Sequence, residues 1–188
     1  MNTRDSHIGH SRAWSSGGTR FCSSKHWVGM LLSIGAFFLA PLANAQQPTI
    51  FLVRHAERAA ISGHVPTETG LSREGQARAR SLARLLKEAK ITAIYTSEYR
   101  RTQETASPLA KSLGIKPEVI PADDVRSLVA KLRASRGNVL VVGHSNTLPW
   151  ILRDLGITDW ITIGESDYDN LFEVTLSPKP QLVRRHYH

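Results

Sequence analysis

Three short apolar segments of the chain each lead into a cationic or histidine side chain. The residues at these junctions are, in chain order, Arg54 with His55, Arg101, and His144. Guanidinium groups bind the oxygens of a phosphoryl group in a fixed geometry without losing their charge. A neutral imidazole can attack phosphorus and form a covalent intermediate. Two arginines together with two histidines therefore predict a site for phosphoryl chemistry.

Each of these four side chains has an expected role. His55 suits the role of nucleophile, because neighbouring cations favour the neutral form of its imidazole. Arg54 and Arg101 are expected to bind the phosphate oxygens, and His144 to donate a hydrogen bond to one of them. Adjacent arginines repel metal ions, so neither a metal nor another cofactor is expected.

Strands and helices are expected to alternate between these junctions. Apolar runs predict buried strands at residues 49–54, 92–96 and 138–142. Helical spacing of apolar residues predicts helices near residues 72–89, 101–113, 125–132 and 147–155. Two further strands in the tail read as a hairpin. This order predicts a three-layer α/β/α sandwich with a mainly parallel sheet and an antiparallel edge, in which the junctions meet beyond the strand ends.

Three motifs carry a resemblance to the histidine phosphatase superfamily, the phosphoglycerate mutase-like proteins. Residues 54–57 (RHAE) resemble the family's Arg-His-Gly-Glu signature, and residues 97–106 (SEYRRTQETA) resemble its second motif, in which Arg101 matches the phosphate-binding arginine. Residues 141–145 (VVGHS) are similar to the third motif, which supplies the second pocket histidine. The resemblance implies a phosphoglycerate mutase-like fold and a phosphomonoesterase that forms a phosphohistidine.

The acid that protonates the leaving group is not matched by these motifs. One family branch takes this acid from an insertion between the second and third motifs, where the present chain has only a short strand and one helix. Another branch uses an aspartate directly after the second histidine, where this chain has Ser145. Glu57 is the first candidate because it lies beside the nucleophile, and Asp169 is the second.

Two other functions fit parts of the sequence. Residues 143–147 (GHSNT) resemble the nucleophile elbow of α/β-hydrolases, so that Ser145 would be the nucleophile of an esterase with Asp154 or Asp169 and with His186. That hypothesis leaves the arginines of the other two junctions unexplained. The same cationic pocket would also suit a non-catalytic module that binds phosphate or an anionic glycan.

The first quarter of the chain has the pattern of a secretory signal. An apolar run at residues 28–40 follows Arg20 and Lys25 and precedes the small-residue sequence ANA at residues 43–45. The run is shorter than the about 20 residues of a membrane span. Residues 1–45 are therefore expected to be a cleaved signal peptide. Residues 46–188 would form one histidine phosphatase domain, secreted to the periplasm without stable membrane insertion.

The charge of the chain favours a small anionic partner. The formal net charge is +8, but the basic residues are scattered and are not interleaved with aromatic residues. Nucleic-acid binding proteins instead concentrate such residues on one surface. We therefore expect a small phosphorylated substrate and no nucleic acid.

Overall fold

The structure, a computed structural model, describes residues 47–60 and 69–188. The predicted signal peptide lies outside the described residues. The strands and helices are, in chain order, β1 (Thr49–Arg54), α1 (Arg73–Leu86), β2 (Ile91–Thr96), α2 (Arg100–Leu113), β3 (Glu118–Val119), α3 (Val125–Ala134), β4 (Asn138–Gly143), α4 (Leu148–Asp154), β5 (Asn170–Thr175) and β6 (Gln181–His186). Among the described residues, no helix has the length and hydropathy needed to cross a membrane.

The strands form one mixed sheet in the order β3-β2-β4-β1-β5-β6. β1 to β4 are parallel to one another, and β5 and β6 add an antiparallel hairpin at one side. The carboxyl ends of β1, β2 and β4 therefore lie at one edge of the sheet. The predicted fold class is confirmed, including the antiparallel edge.

Strand side chains alternate between two apolar cores. Ile50 and Leu52 of β1 pack into one core with residues of α3 and α4, whereas Phe51 and Val53 pack into the other with residues of α1 and α2. Each fully buried side chain of this size contributes about 1.5–3 kcal/mol. Because both faces of the sheet are covered, the domain has three layers and its strands read as continuous apolar runs.

The helix ends follow local signals in the sequence. The Ser72 side chain accepts a hydrogen bond from the amide of Gly75 and caps α1. Gly114 ends α2 with a φ of 66°, a left-handed conformation that favours glycine. Pro108 lies within α2 and does not delay its start, since the helix begins at Arg100.

Candidate active site

His55, which follows β1, and His144, which follows β4, lie close together because β1 and β4 are adjacent and parallel. Arg54 pairs with Gly143 in the register, and the His55 amide donates to the Gly143 carbonyl oxygen at 2.9 Å. The next residue along each strand is therefore a histidine at the same edge. The ring centroids of His55 and His144 lie 5.3 Å apart. Two imidazoles at this separation can contact one small ligand.

A polar cavity of about 260 Å³ opens at this edge of the sheet. Its cationic and histidine lining consists of Arg54, His55, Arg58, Arg101 and His144. Glu165 is the only carboxylate residue among the described residues that line it. The structure thus brings together the four residues predicted from the three junctions, in a cavity suited to a small anion.

The hydrogen bonding of His55 leaves one ring nitrogen available for attack. Its Nδ1 lies 2.8 Å from the Ala56 carbonyl oxygen. A carbonyl only accepts, so Nδ1 carries the proton and Nε2 keeps its lone pair. Burial first, and then the neighbouring Arg101 and His144, lower the pKa of His55 to about 3. The imidazole is therefore neutral at physiological pH.

Ala56 replaces the glycine of the family signature without backbone strain. Among the described non-glycine residues, only Lys90 has a positive φ, so the backbone of Ala56 adopts a conformation open to alanine. The Ala56 amide donates to the Thr105 hydroxyl at 3.0 Å, and that hydroxyl donates to the Arg101 carbonyl oxygen at 2.7 Å. Thr105 thereby connects the segment after β1, which contains His55 and Ala56, to the start of α2.

His144 is held from both ring nitrogens. Its Nε2 lies 2.9 Å from the Ser97 hydroxyl, and its Nδ1 lies 3.4 Å from Nη2 of Arg101. Burial, together with the charges of Arg101 and Arg54, lowers the pKa of His144 to about 4. The Ser97 hydroxyl also lies 3.0 Å from the Thr102 hydroxyl, which donates to the Tyr99 carbonyl oxygen at 2.7 Å. The Thr102 proton goes to Tyr99, so the Ser97 hydroxyl donates to Thr102 and accepts from Nε2–H of His144. The unprotonated Nδ1 then accepts from Arg101.

Arg54 is buried and anchored by backbone groups. Its Nη1 donates to the carbonyl oxygens of Gly164 and Glu165 at 2.7 and 2.9 Å. Its Nε is also buried and has no hydrogen-bond partner among the described residues. A buried donor without a partner costs about 1–3 kcal/mol.

The structure does not bring Glu57 to the cavity. The carboxylate of Glu57 instead accepts from Nε of Arg78 at 2.8 Å, and Arg78 also donates to the Tyr187 carbonyl oxygen. The second candidate acid, Asp169, has a carboxylate oxygen 3.1 Å from Nδ1 of His186 and does not line the cavity either. The two carboxylates predicted as acids thus contact Arg78 of α1 and His186 of β6. Neither is placed to protonate a leaving group in the cavity.

The esterase constellation is not assembled. Ser145 lines the cavity after β4, whereas His186 ends β6. β1 and β5 lie between these two strands in the sheet. Three strand spacings correspond to about 14 Å, which is too far for a serine and its base to share a hydrogen bond.

Sequence reasoning missed several cavity residues. Arg58 adds a third guanidinium three positions after His55, and this short spacing within one loop was an available signal. Ser97, in the second motif, lies outside the cavity lining but contacts His144, and this contact was also not predicted. Glu165 belongs to the segment between α4 and β5, where no periodicity predicts an element and only the fold places a residue near β1.

Comparison with known proteins gives one family match. Residues 50–124 match the sequence model of the histidine phosphatase superfamily (branch 1). Over these residues the chain is similar to that superfamily. The matched residues include the first two motifs and end before His144. No curated protein sequence matches the chain.

Solved structures show the same histidine phosphatase fold. The protein histidine phosphatase SixA, complexed with tungstate, aligns with a TM-score of 0.64 and 21% identity over 73% of this chain and 96% of that one. A mycobacterial glucosyl-3-phosphoglycerate phosphatase, complexed with inorganic phosphate, aligns with a TM-score of 0.58 and 18% identity over 72% of this chain and 95% of that one. At these identities the likeness establishes the phosphoglycerate mutase-like fold.

Proposed function

We propose that this protein is a phosphomonoesterase that works through a phosphohistidine on His55. The superfamily match and the phosphatase neighbours support a phosphatase. One observation supports this mechanism most strongly: the Nδ1 bond to Ala56 leaves the Nε2 lone pair of a neutral His55 in a cavity also lined by Arg54 and Arg101. The two neighbours bind tetrahedral oxyanions, which supports the same use of this cavity.

The proposed reaction has two displacements at phosphorus. In the first, Nε2 of His55 attacks, the phosphorus–oxygen bond to the leaving group breaks, and the leaving oxygen takes up a proton. In the second, water attacks the phosphohistidine, the phosphorus–nitrogen bond breaks, and water gives up its proton as phosphate departs. Arg54 and Arg101 stabilise the charge on the phosphoryl oxygens in both steps. In the free enzyme Nδ1 of His144 accepts from Nη2 of Arg101. The charge of a bound phosphoryl group favours a protonated Nδ1, which then donates to a phosphoryl oxygen.

The position of the carboxylates favours substrates whose leaving group departs easily. Glu57 is held by Arg78, and Glu165 is the only carboxylate residue among the described lining residues. Glu165 is exposed to solvent. We therefore propose Glu165 in place of Glu57 as the acid, and a small phosphorylated substrate with an activated leaving group. Aryl phosphates and phosphoramidates such as phosphohistidine meet this requirement.

Export to the periplasm is part of the proposal. It is supported by the apolar run at residues 28–40 and by the ANA sequence that follows it. Sequencing the amino terminus of the exported protein should give Gln46 as the first residue. Recovery of the uncut chain from the membrane fraction would contradict cleavage.

Release of nitrophenol from an aryl phosphate tests the enzyme assignment. His55→Ala should reduce kcat/KM by about a thousandfold or more, because it removes the nucleophile. His186→Ala is the matched control, since this histidine is exposed and lies on β6 outside the cavity lining. It should retain activity.

Two results would overturn the proposal. Full activity of His55→Ala would favour the serine mechanism. So would a wild type that hydrolyses carboxylic esters and a Ser145→Ala variant that has lost this activity. Phosphate binding by calorimetry without turnover of any phosphate ester would instead indicate a binding module.

A further inference from the structure

Each of the two phosphate-binding arginines lies against the face of a tyrosine. The Arg54 Cζ is 4.2 Å from the ring centroid of Tyr168, and the Arg101 Cζ is 4.2 Å from the ring centroid of Tyr99. Both distances are within the about 6 Å of a cation–π contact. The same pairing therefore occurs twice in one cavity, with residues from different parts of the chain.

Each tyrosine also lies near the histidine on its side of the cavity. The rings of Tyr99 and His144 meet edge to face with centroids 4.9 Å apart. The Tyr168 ring lies at a tilt to His55, with centroids 6.1 Å apart. Tyr99 immediately precedes α2, and Tyr168 comes from the segment between α4 and β5. Two segments that are distant in sequence thus each place a tyrosine ring beside one arginine and one histidine of the cavity.

We propose that Tyr99 and Tyr168 are positioning residues that fix the planes of the two guanidinium groups before the substrate binds. This proposal rests on the proposed function and assigns how its oxyanion site is pre-organised. A ring that covers the face of a guanidinium leaves the N–H groups in the plane, where they meet phosphoryl oxygens. The tyrosines therefore restrict the arginines without competing for the ligand.

Pre-organisation of this kind has a measurable consequence. A long, unstacked arginine side chain loses rotamer freedom when it binds an anion, and that cost weakens binding. A stacked arginine has already lost that freedom in the free enzyme. The contribution should therefore be seen both in affinity for inorganic phosphate and in kcat/KM, since the same oxygens are bound in the transition state.

The contacts are made by the rings, which separates this role from acid catalysis by the hydroxyls. Tyr99→Phe and Tyr168→Phe keep the ring face and remove the hydroxyl. Tyr99→Leu and Tyr168→Leu keep an apolar side chain of moderate size and remove the π face. The comparison of phenylalanine with leucine at each position is thus the decisive one.

The experiment measures phosphate affinity by calorimetry and aryl phosphate hydrolysis on the full chain. Each leucine variant should raise the dissociation constant of phosphate by about 3- to 30-fold, the range expected for loss of one cation–π contact. It should lower kcat/KM by a similar factor. Each phenylalanine variant should remain within about threefold of the wild type in both measurements.

Tyr187→Leu is the control for loss of an aromatic partner elsewhere. Its ring centroid lies 6.0 Å from the Cζ of Arg78, and it does not line the cavity. This variant should lose thermal stability but keep its phosphate affinity. Should a leucine variant fail to fold, Tyr99→Met and Tyr168→Met, with flexible side chains, make the same comparison.

The outcomes distinguish this proposal from the proposed function. If the wild type binds phosphate and turns over but the leucine variants match it, the tyrosine proposal is overturned and the enzyme assignment stands. If phenylalanine is as damaging as leucine, the hydroxyl acts and the ring account is wrong. If the wild type neither binds phosphate nor hydrolyses the ester, both proposals fall together.

Discussion

The hydroxyl of Ser97 should matter to catalysis although it does not line the phosphate cavity. This buried hydroxyl lies 2.9 Å from Nε2 of His144. It therefore orients the imidazole ring from outside the cavity lining. Ser97→Ala leaves a buried imidazole nitrogen without that partner, a loss of about 1–3 kcal/mol. If the whole of this loss falls on the transition state, kcat/KM decreases by about 5- to 150-fold.

The assay is steady-state hydrolysis of an aryl phosphate, with thermal unfolding followed in parallel. Ser112→Ala is the matched control, because its hydroxyl donates to the Leu109 carbonyl oxygen at 2.8 Å within the same helix that follows Ser97 and lies outside the cavity. It should change kcat/KM by less than about twofold. A Ser97→Ala enzyme with wild-type kcat/KM would refute the reasoning, since His144 would then need no support.

Three further changes test other parts of the structure. Lowering the pH from 6.5 should reduce the free energy of unfolding, because the folded pKa values of His55 and His144, about 3 and about 4, lie below 6.5 and the unfolded chain takes up the protons first. Each histidine adds a slope of at most about 1.4 kcal/mol per pH unit. Urea denaturation at several pH values should show a shallower slope in His144→Asn, and an unchanged slope would contradict the assigned burial. Glu57→Gln should weaken the pairing with Arg78 and lower the unfolding free energy by about 1 kcal/mol; a hundredfold loss of kcat would restore Glu57 as the acid. Gly75→Ala should lower the unfolding free energy by about 1–3 kcal/mol, since a Cβ there would lie 2.1 Å from the Glu57 carbonyl oxygen. Wild-type stability in urea would show that the backbone at Glu57 can move away from the added methyl group.

Much of the fold could be predicted because its signals are local. Strands covered on both faces read as apolar runs, and β1 and β4 show this pattern over their full lengths. Ser72 and Gly114 marked helix ends, since a capping hydroxyl and a left-handed residue depend only on neighbouring backbone. The start of α2 was predicted one residue late, because Tyr99 precedes it without a side-chain cap.

The cavity was predicted only in part, because its residues come from two kinds of segment. His55, Arg101 and His144 follow strands or begin helices, so the order of elements was enough to bring them to one edge. Glu165 and Tyr168 lie between α4 and β5 without periodicity, and only the antiparallel return of β5 beside β1 places them at Arg54.

Glu57 was predicted as the acid because it is close to His55 in sequence, but the structure places its carboxylate away from the cavity lining. Glu57 is two residues from His55, but the chain turns between them and the carboxylate meets Arg78 of α1. Residues two apart share a face only in a regular strand, and the chain leaves the strand at Arg54, so a short separation is weak evidence that two side chains share a site. Contacts across the fold decide this question.

Direct detection of the phosphoryl-enzyme tests the central claim. The enzyme is mixed with an aryl phosphate, stopped within milliseconds in alkali, where phosphohistidine persists, and its peptides are analysed by mass spectrometry. We predict one phosphoryl group on His55, and none when His55 is replaced by alanine. A phosphoryl group on Ser145, or turnover with no labelled residue in a rapid-quench series, would contradict a phosphohistidine mechanism.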